Sequence, residues 1–119
     1  MCMNINPNVT SLNKRTVWKI FDREGDTTGK IVSLFQAASY PLGKRITRSP
    51  GIANNGGYGG HGLHFYVTKS LAKKHASFWM NAYIAKFKVN PKDFMFASVC
   101  GEEAMYESAT RVGKYIRVN

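Results

Sequence analysis

Leu63-His64-Phe65-Tyr66-Val67-Thr68-Lys69-Ser70-Leu71-Ala72-Lys73-Lys74-His75-Ala76 is the stretch on which the fold turns. Its first five residues alternate and branch as a strand does. Thr68 or Ser70 can cap a helix start by accepting from a free backbone amide. From there Leu71, Ala72, His75, Ala76, Phe78, Trp79 and Ala82 recur at helical spacing, with Lys69, Lys73 and Lys74 mainly on the other side. The spacing predicts a helix from about Ser70 to Met80. A strand running directly into a capped helix, then into another strand at Ala82–Val89, is one α/β unit. In that next strand Tyr83, Ala85, Phe87 and Val89 share one face, and Ile84, Lys86 and Lys88 the other.

Downstream, Asn90-Pro91-Lys92-Asp93 reads as a turn and Phe94–Val99 as a short apolar strand that Gly101 ends. Glu102–Glu107 fits helix or strand. Ala109–Val118 is the last strand, with Arg111, Tyr115 and Arg117 on one face. Upstream, Thr16–Phe21 and Lys30–Gln36 flank a turn-rich segment and should pair as a long-looped hairpin. Tyr40–Pro50 is irregular. Gly51–Gly62, with its Asn54-Asn55-Gly56-Gly57-Tyr58-Gly59-Gly60 run, is too glycine-rich for regular structure and reads as a mobile loop, either plain surface or ligand-binding. The expectation is an α+β domain over residues 16–119, built on a mainly antiparallel sheet of about six short strands with one main helix. Residues 1–15 form a flexible lead-in.

Charge narrows the partners. Seventeen Lys and Arg against seven Asp and Glu give a net charge of +10 in 119 residues. A domain this basic attracts phosphate backbones, anionic surfaces or acidic protein faces. No stretch is long and apolar enough to span a membrane, and Met1–Arg15 lacks a signal-peptide core. Only Cys2 and Cys100 are present, which argues against a disulfide framework and for a reducing, cytoplasmic setting.

Metal chemistry finds no support. His61 and His64, three apart in extended chain, fall on opposite faces, and no closely spaced cysteine pair exists. Glu102, Glu103 and Glu107 are the one acidic cluster, either a solvated patch or carboxylates able to stabilise a cationic transition state. The cations lie near aromatics in several groups: Lys44, Arg45 and Arg48; Lys69, Lys73 and Lys74; Lys86 and Lys88; Arg111, Tyr115 and Arg117. Cations interleaved with an aromatic ring serve to neutralise a phosphate backbone and stack its bases. A solvated strand face accounts for each stripe as well.

Tyr58-Gly59-Gly60-His61-Gly62-Leu63-His64-Phe65-Tyr66-Val67-Thr68-Lys69-Ser70-Leu71-Ala72-Lys73-Lys74-His75-Ala76 resembles the glycine–strand–Ser/Thr–helix element of ADP-ribosyltransferase-like folds, found in the poly-ADP-ribose polymerases and some bacterial toxins. Gly62-Leu63-His64-Phe65 followed by Val89-Asn90-Pro91-Lys92-Asp93 also resembles small domains encoded by tailed bacteriophages. The likeness spans about Gly57 to Asp93. It implies a split sheet around a cleft. In the transferases a first-strand His or Arg holds NAD, a Ser or Thr follows the next motif strand, and a late Glu stabilises the oxocarbenium-like transition state. Carried onto this chain, Thr68 or Ser70 matches the hydroxyl. Glu102, Glu103 or Glu107 matches the carboxylate, and Gly62, His64 and Tyr66 line the NAD position. The first strand offers only Lys19.

That missing His or Arg turns the expectation toward a scaffold without the activity. The leading expectation is a small basic phage-type binding protein with no cofactor. It acts on nucleic acid, or on a nucleic-acid-handling complex of a host cell as an anti-defence inhibitor. Its binding residues are Lys44, Arg45, Arg48, Lys69, Lys73, Arg111, Tyr115 and Arg117. An NAD-dependent transferase using Lys19, Thr68, Ser70, Glu102 and Glu103, and a plain protein-interaction module, are the alternatives.

Overall fold

The computed structural model describes residues 5–24, 30–33, 40–47, 62–79 and 81–118. Arg48 and nearly all of the glycine-rich stretch, up to His61, lie outside the described residues. The fold is α+β. The strands are β1 (Thr16–Glu24), β2 (Lys30–Ser33), β3 (Arg45–Thr47), β4 (Leu63–Tyr66), β5 (Tyr83–Lys88), β6 (Phe94–Ala97), β7 (Glu103–Tyr106), β8 (Ser108–Arg111) and β9 (Ile116–Arg117). They form one sheet in the order β3-β8-β5-β1-β4-β7-β6, with β2 also on β1 and β9 also on β5. Every described strand pairing is antiparallel. The helix α1 (Lys69–Ala76) follows β4, and a 3-10 turn at Pro91–Asp93 leads into β6.

The strand count exceeds the expected six for local reasons. Arg45–Thr47, read as irregular, is short enough to be masked by its flanking prolines and glycine, yet pairs with β8. The stretch that fitted helix or strand is a strand, because Glu103–Tyr106 is held between β4 and β6. The single last strand divides in two. Val112 and Gly113 both donate to the carbonyl of Lys86, at 3.0 and 3.2 Å, so the chain bulges there. Arg111 opposes Phe87 and Arg117 opposes Tyr83, six residues against four.

Two core layers sandwich the sheet. Directly opposed residues of an antiparallel pair share a face, so the registers sort the side chains. Val17 and Phe21 of β1, Leu63 and Phe65 of β4, Tyr83, Ala85 and Phe87 of β5, and Ala104 and Tyr106 of β7 form one face, joined by Tyr40. Its rings are close: Phe21 stacks on Phe87 at 6.0 Å, and Tyr40 meets both edge-on at 5.7 and 5.4 Å. On the other face Ile20, Tyr66 and Ile84 are covered by Ala72 and Ala76 of α1 and by Ala82, with Trp18, Leu71 and Val118 at the margin. Over Val17–Phe21 β1 packs against both layers, which is why apolar residues there fall on both of its faces, with Lys19 between them.

The helix stops at Ala76, short of the expected end near Met80. Thr68 is its N-cap, accepting from the Leu71 amide at 3.2 Å. At the other end Phe78 donates to the His75 carbonyl and Trp79 to that of Ala76, a tightening to three-residue bonds. Asn81, at φ 57°, then turns the chain into β5. Phe78, expected on the buried stripe, is 79% exposed as a result. Of the N-terminal segment, Ile5 bridges to Ser98, the Asn6 amide bonds to the Ala97 carbonyl at 2.8 Å, and Leu12 packs on the aromatic layer.

The two edges of β1 are paired unequally. It lies beside β5 along Thr16–Phe21. On its opposite edge it meets β4 at a single pair, Trp18 with Tyr66, and then β2 from Phe21 onward. No described helix is long and apolar enough to cross a membrane.

Candidate polyanion-binding face

Helix α1 covers Ile20, Tyr66 and Ile84 on its side of the sheet, and the registers show what else shares that face. One row of cross-strand neighbours runs Glu103, Tyr66, Trp18, Lys86 across β7, β4, β1 and β5. The next runs Thr16, Lys88, Thr110, Arg45 across β1, β5, β8 and β3. All eight side chains share the helix-bearing face. Lys86, Lys88 and Arg45 are exposed, and Trp18 is half-buried. Lys86 and Lys88 are about 6.8 Å apart along the strand. Lys69, in the first turn of α1, holds its ammonium 5.4 Å from the centroid of the Trp18 ring. Lys73 follows one turn on, along the same side of the helix. Arg45 also lies 3.6 Å from the half-buried Asp93 carboxylate, its own end of the pair exposed.

The exposed part of this face therefore carries Lys69 and Lys86 beside the Trp18 indole, with Lys88 and Arg45 running on from β5 to β3. Of the expected binding residues it takes in Arg45, Lys69 and Lys73, and it adds Trp18, Lys86 and Lys88. Lys44 is exposed beside β3. Alternation along β5 marked Lys86 and Lys88 as one stripe; Trp18 came into view only through its register with Lys86.

The stripe of Arg111, Tyr115 and Arg117 behaves differently. The bulge inserts two residues, so the three keep a common face, but that face is the aromatic layer. Arg111 is buried; it donates to the Tyr40 carbonyl from Nε and to the Gly113 carbonyl from a terminal nitrogen, both at 2.7 Å. Its guanidinium lies 4.1 Å from the Tyr115 ring. It ties the Tyr40 segment to the sheet. Arg117 is exposed and reaches the Asn81 side-chain oxygen at 3.1 Å. Tyr115 is raised above the ordinary phenol range by burial, with Arg111 opposing.

The residues that the transferase resemblance singles out are spread over both faces. Lys19 faces the aromatic layer, its ammonium 2.7 Å from the His64 carbonyl and 5.2 and 5.7 Å from the Phe65 and Tyr40 rings. Thr68 caps α1 and lies 3.3 Å from the Ser70 hydroxyl. Gly62 is hemmed in: an added Cβ would lie 2.6 Å from Met105 side-chain atoms. His64 opposes Met105, and Tyr66 opposes Glu103. Around Tyr66 the polar groups are tied together. His75 stacks on its ring at 4.8 Å and contacts Glu102 at 3.1 Å. Ser98 receives the Glu103 amide at 3.0 Å and lies 3.3 Å from the Cys100 sulfur. Burial holds the Glu103 carboxyl above its ordinary range, Glu102 adding to this while His75 and Lys19 oppose it. Burial, then the Glu103 and Glu102 charges, lift the Tyr66 phenol further. Among the described residues no group of three or more His, Cys, Asp or Glu is arranged to hold a metal.

Comparisons with protein-family models, curated proteins and solved structures return no match to this chain.

Proposed function

We propose that this chain is a non-enzymatic nucleic-acid-binding domain that uses the exposed part of its helix-bearing sheet face. The observation that carries the reading is the pair of adjacent rows, Trp18–Lys86 and Lys88–Thr110–Arg45, with Lys69 above the indole. A run of phosphates is the anion that several separate, solvated cations on one surface can neutralise together, releasing counterions as they do. The net charge of +10 adds long-range attraction to any polyanion. The phage resemblance argues that this binding serves against nucleic acid, or a nucleic-acid-handling complex, inside a host cell.

The reading ranks ahead of the NAD-dependent transferase because Lys19 and Thr68 have internal work. One is bonded to a strand carbonyl and the other caps a helix. The test is fluorescence anisotropy with labelled DNA and RNA oligonucleotides at low and physiological salt. Lys86→Glu/Lys88→Glu should lose binding at least tenfold while keeping the circular dichroism of the parent. Binding unchanged by that double reversal, or insensitive to salt, would remove the face from consideration.

A further inference from the structure

Phosphate neutralisation alone gives no role to an aromatic ring at the edge of the cations, where Trp18 sits. It opposes Lys86 on one side and Tyr66 on the other, it is half-buried against the helix-side core, and its outer surface is spanned by the flexible Lys69 side chain. A duplex shows a protein its backbone and base edges, and its base faces are stacked against one another. Only unpaired bases can lie on a ring. Resting on the proposed nucleic-acid binding, we infer that the face takes a single-stranded polynucleotide, one base stacking on Trp18 while Lys86, Lys88 and Arg45 hold the phosphates that run past it.

The geometry suits that ligand in three ways. The cations lie on one side of the indole, along β5 and across to β3, so a backbone can track them without crossing the ring. Lys69 reaches the ring from the helix and is exposed, so its ammonium can give up the indole face and turn to a phosphate when a base arrives. The acid of the same row, Glu103, lies beyond Tyr66 on the far side of Trp18 from Lys86, and is itself buried. It marks the end of the face at which a phosphate backbone is least favoured. Stacking on an aromatic platform beside a cationic track tolerates any base, so the site reads strandedness rather than sequence.

The test compares labelled twelve-residue oligothymidylate and oligouridylate with a hairpin duplex of equal phosphate number, at one salt concentration. Either single strand should bind at least tenfold tighter than the duplex. In a Trp79→Phe background, where Trp18 is the sole indole, either strand should quench its emission. Trp18→Leu, which keeps an apolar side chain against the core, should weaken single-strand binding by about five- to a hundredfold and leave the salt slope as it was. Trp18→Phe should restore most of the loss. Equal affinity for duplex and single strand, or Trp18→Leu binding like the parent, would overturn the inference and leave the salt-dependent reading of the face intact. Absence of binding to every one of these polymers would overturn both.

Discussion

The ammonium of Lys19 donates a 2.7 Å hydrogen bond to the main-chain carbonyl of His64, across the seam between β1 and β4. The two strands meet at one residue pair, Trp18 with Tyr66, and by Phe21 the same edge of β1 belongs to β2. The His64 carbonyl lies just beyond that single pair, and Lys19 donates to it from the neighbouring strand. Its methylene stem lies among the aromatic layer, and the Phe65 and Tyr40 rings flank the charge. A residue that the transferase resemblance cast as a substrate contact is thereby a stitch in the sheet.

Lys19→Met keeps the stem and removes the donor. It should lower the unfolding free energy by about 1–3 kcal/mol, the worth of a part-buried hydrogen bond from a charged donor. Lys19→Arg should recover part of the loss. Urea denaturation midpoints read the difference, and a Lys19→Met variant as stable as the parent would show that the carbonyl is satisfied some other way.

Tyr106 is fully buried, and its hydroxyl finds no hydrogen-bond partner among the described residues. Burial alone pushes its phenol up to about 12. Tyr106→Phe discards a hydroxyl whose desolvation is uncompensated, so stability should hold or rise by up to about 1 kcal/mol. Tyr106→Ala, which empties the ring site between Phe65 and Phe94, should cost about 3–5 kcal/mol. A clear loss in the Phe variant would reveal an unseen partner.

Glu103 carries a pH dependence whose sign follows from burial. Its folded-state pKa lies above the ordinary 4.5, so the folded chain holds this proton more tightly than the unfolded one. Folding is then penalised as pH rises from the unfolded value through the folded one, and the penalty is complete above it. Glu103→Gln should be more stable than the parent at neutral pH, and the gap should close as pH falls below the unfolded value. Thermal melts from pH 3 to 8 follow it. A gap that widens toward acid would mean the carboxylate is net stabilising, through Lys19 and His75.

Gly62 precedes β4 where the Met105 side chain fills the space a Cβ would occupy. Met105 is fully buried and opposes His64, so it has little room to withdraw. Gly62→Ala should cost about 1–3 kcal/mol, and Gly62→Ala/Met105→Ala should lose less than the two single changes summed, because the pair shares one volume. Strict additivity in a double-mutant cycle would contradict the close approach.

The periodicities that lie within one element were legible. Alternation through Tyr83–Lys88 sorted the aromatic layer from the helix side, and the Ala72/Ala76 stripe marked the buried side of α1. What failed to show in the chain depended on partners far away. Arg45–Thr47 is a strand only because β8 accepts it. Gly113, the signal of the bulge, looked like any other glycine until Lys86 lay against it. Parity along the last strand correctly grouped Arg111, Tyr115 and Arg117, yet could not tell that their face is the core, since an arginine bonded to two carbonyls and a ring looks identical in sequence to a solvated one. The candidate face was largely legible: Arg45 and Lys69 by charge and Lys86 and Lys88 by alternation, with Trp18 found only by register.

The salt dependence of single-strand binding tests the central claim most directly. The slope of log affinity against log salt should shrink in magnitude by about 1.4 in Lys86→Ala/Lys88→Ala, two phosphate contacts at about 0.7 each. Arg117→Gln, a charge removed from the opposite face, should leave the slope where it was. A slope unmoved by the lysine pair, or moved by Arg117 instead, would contradict the assignment of the polyanion to this face.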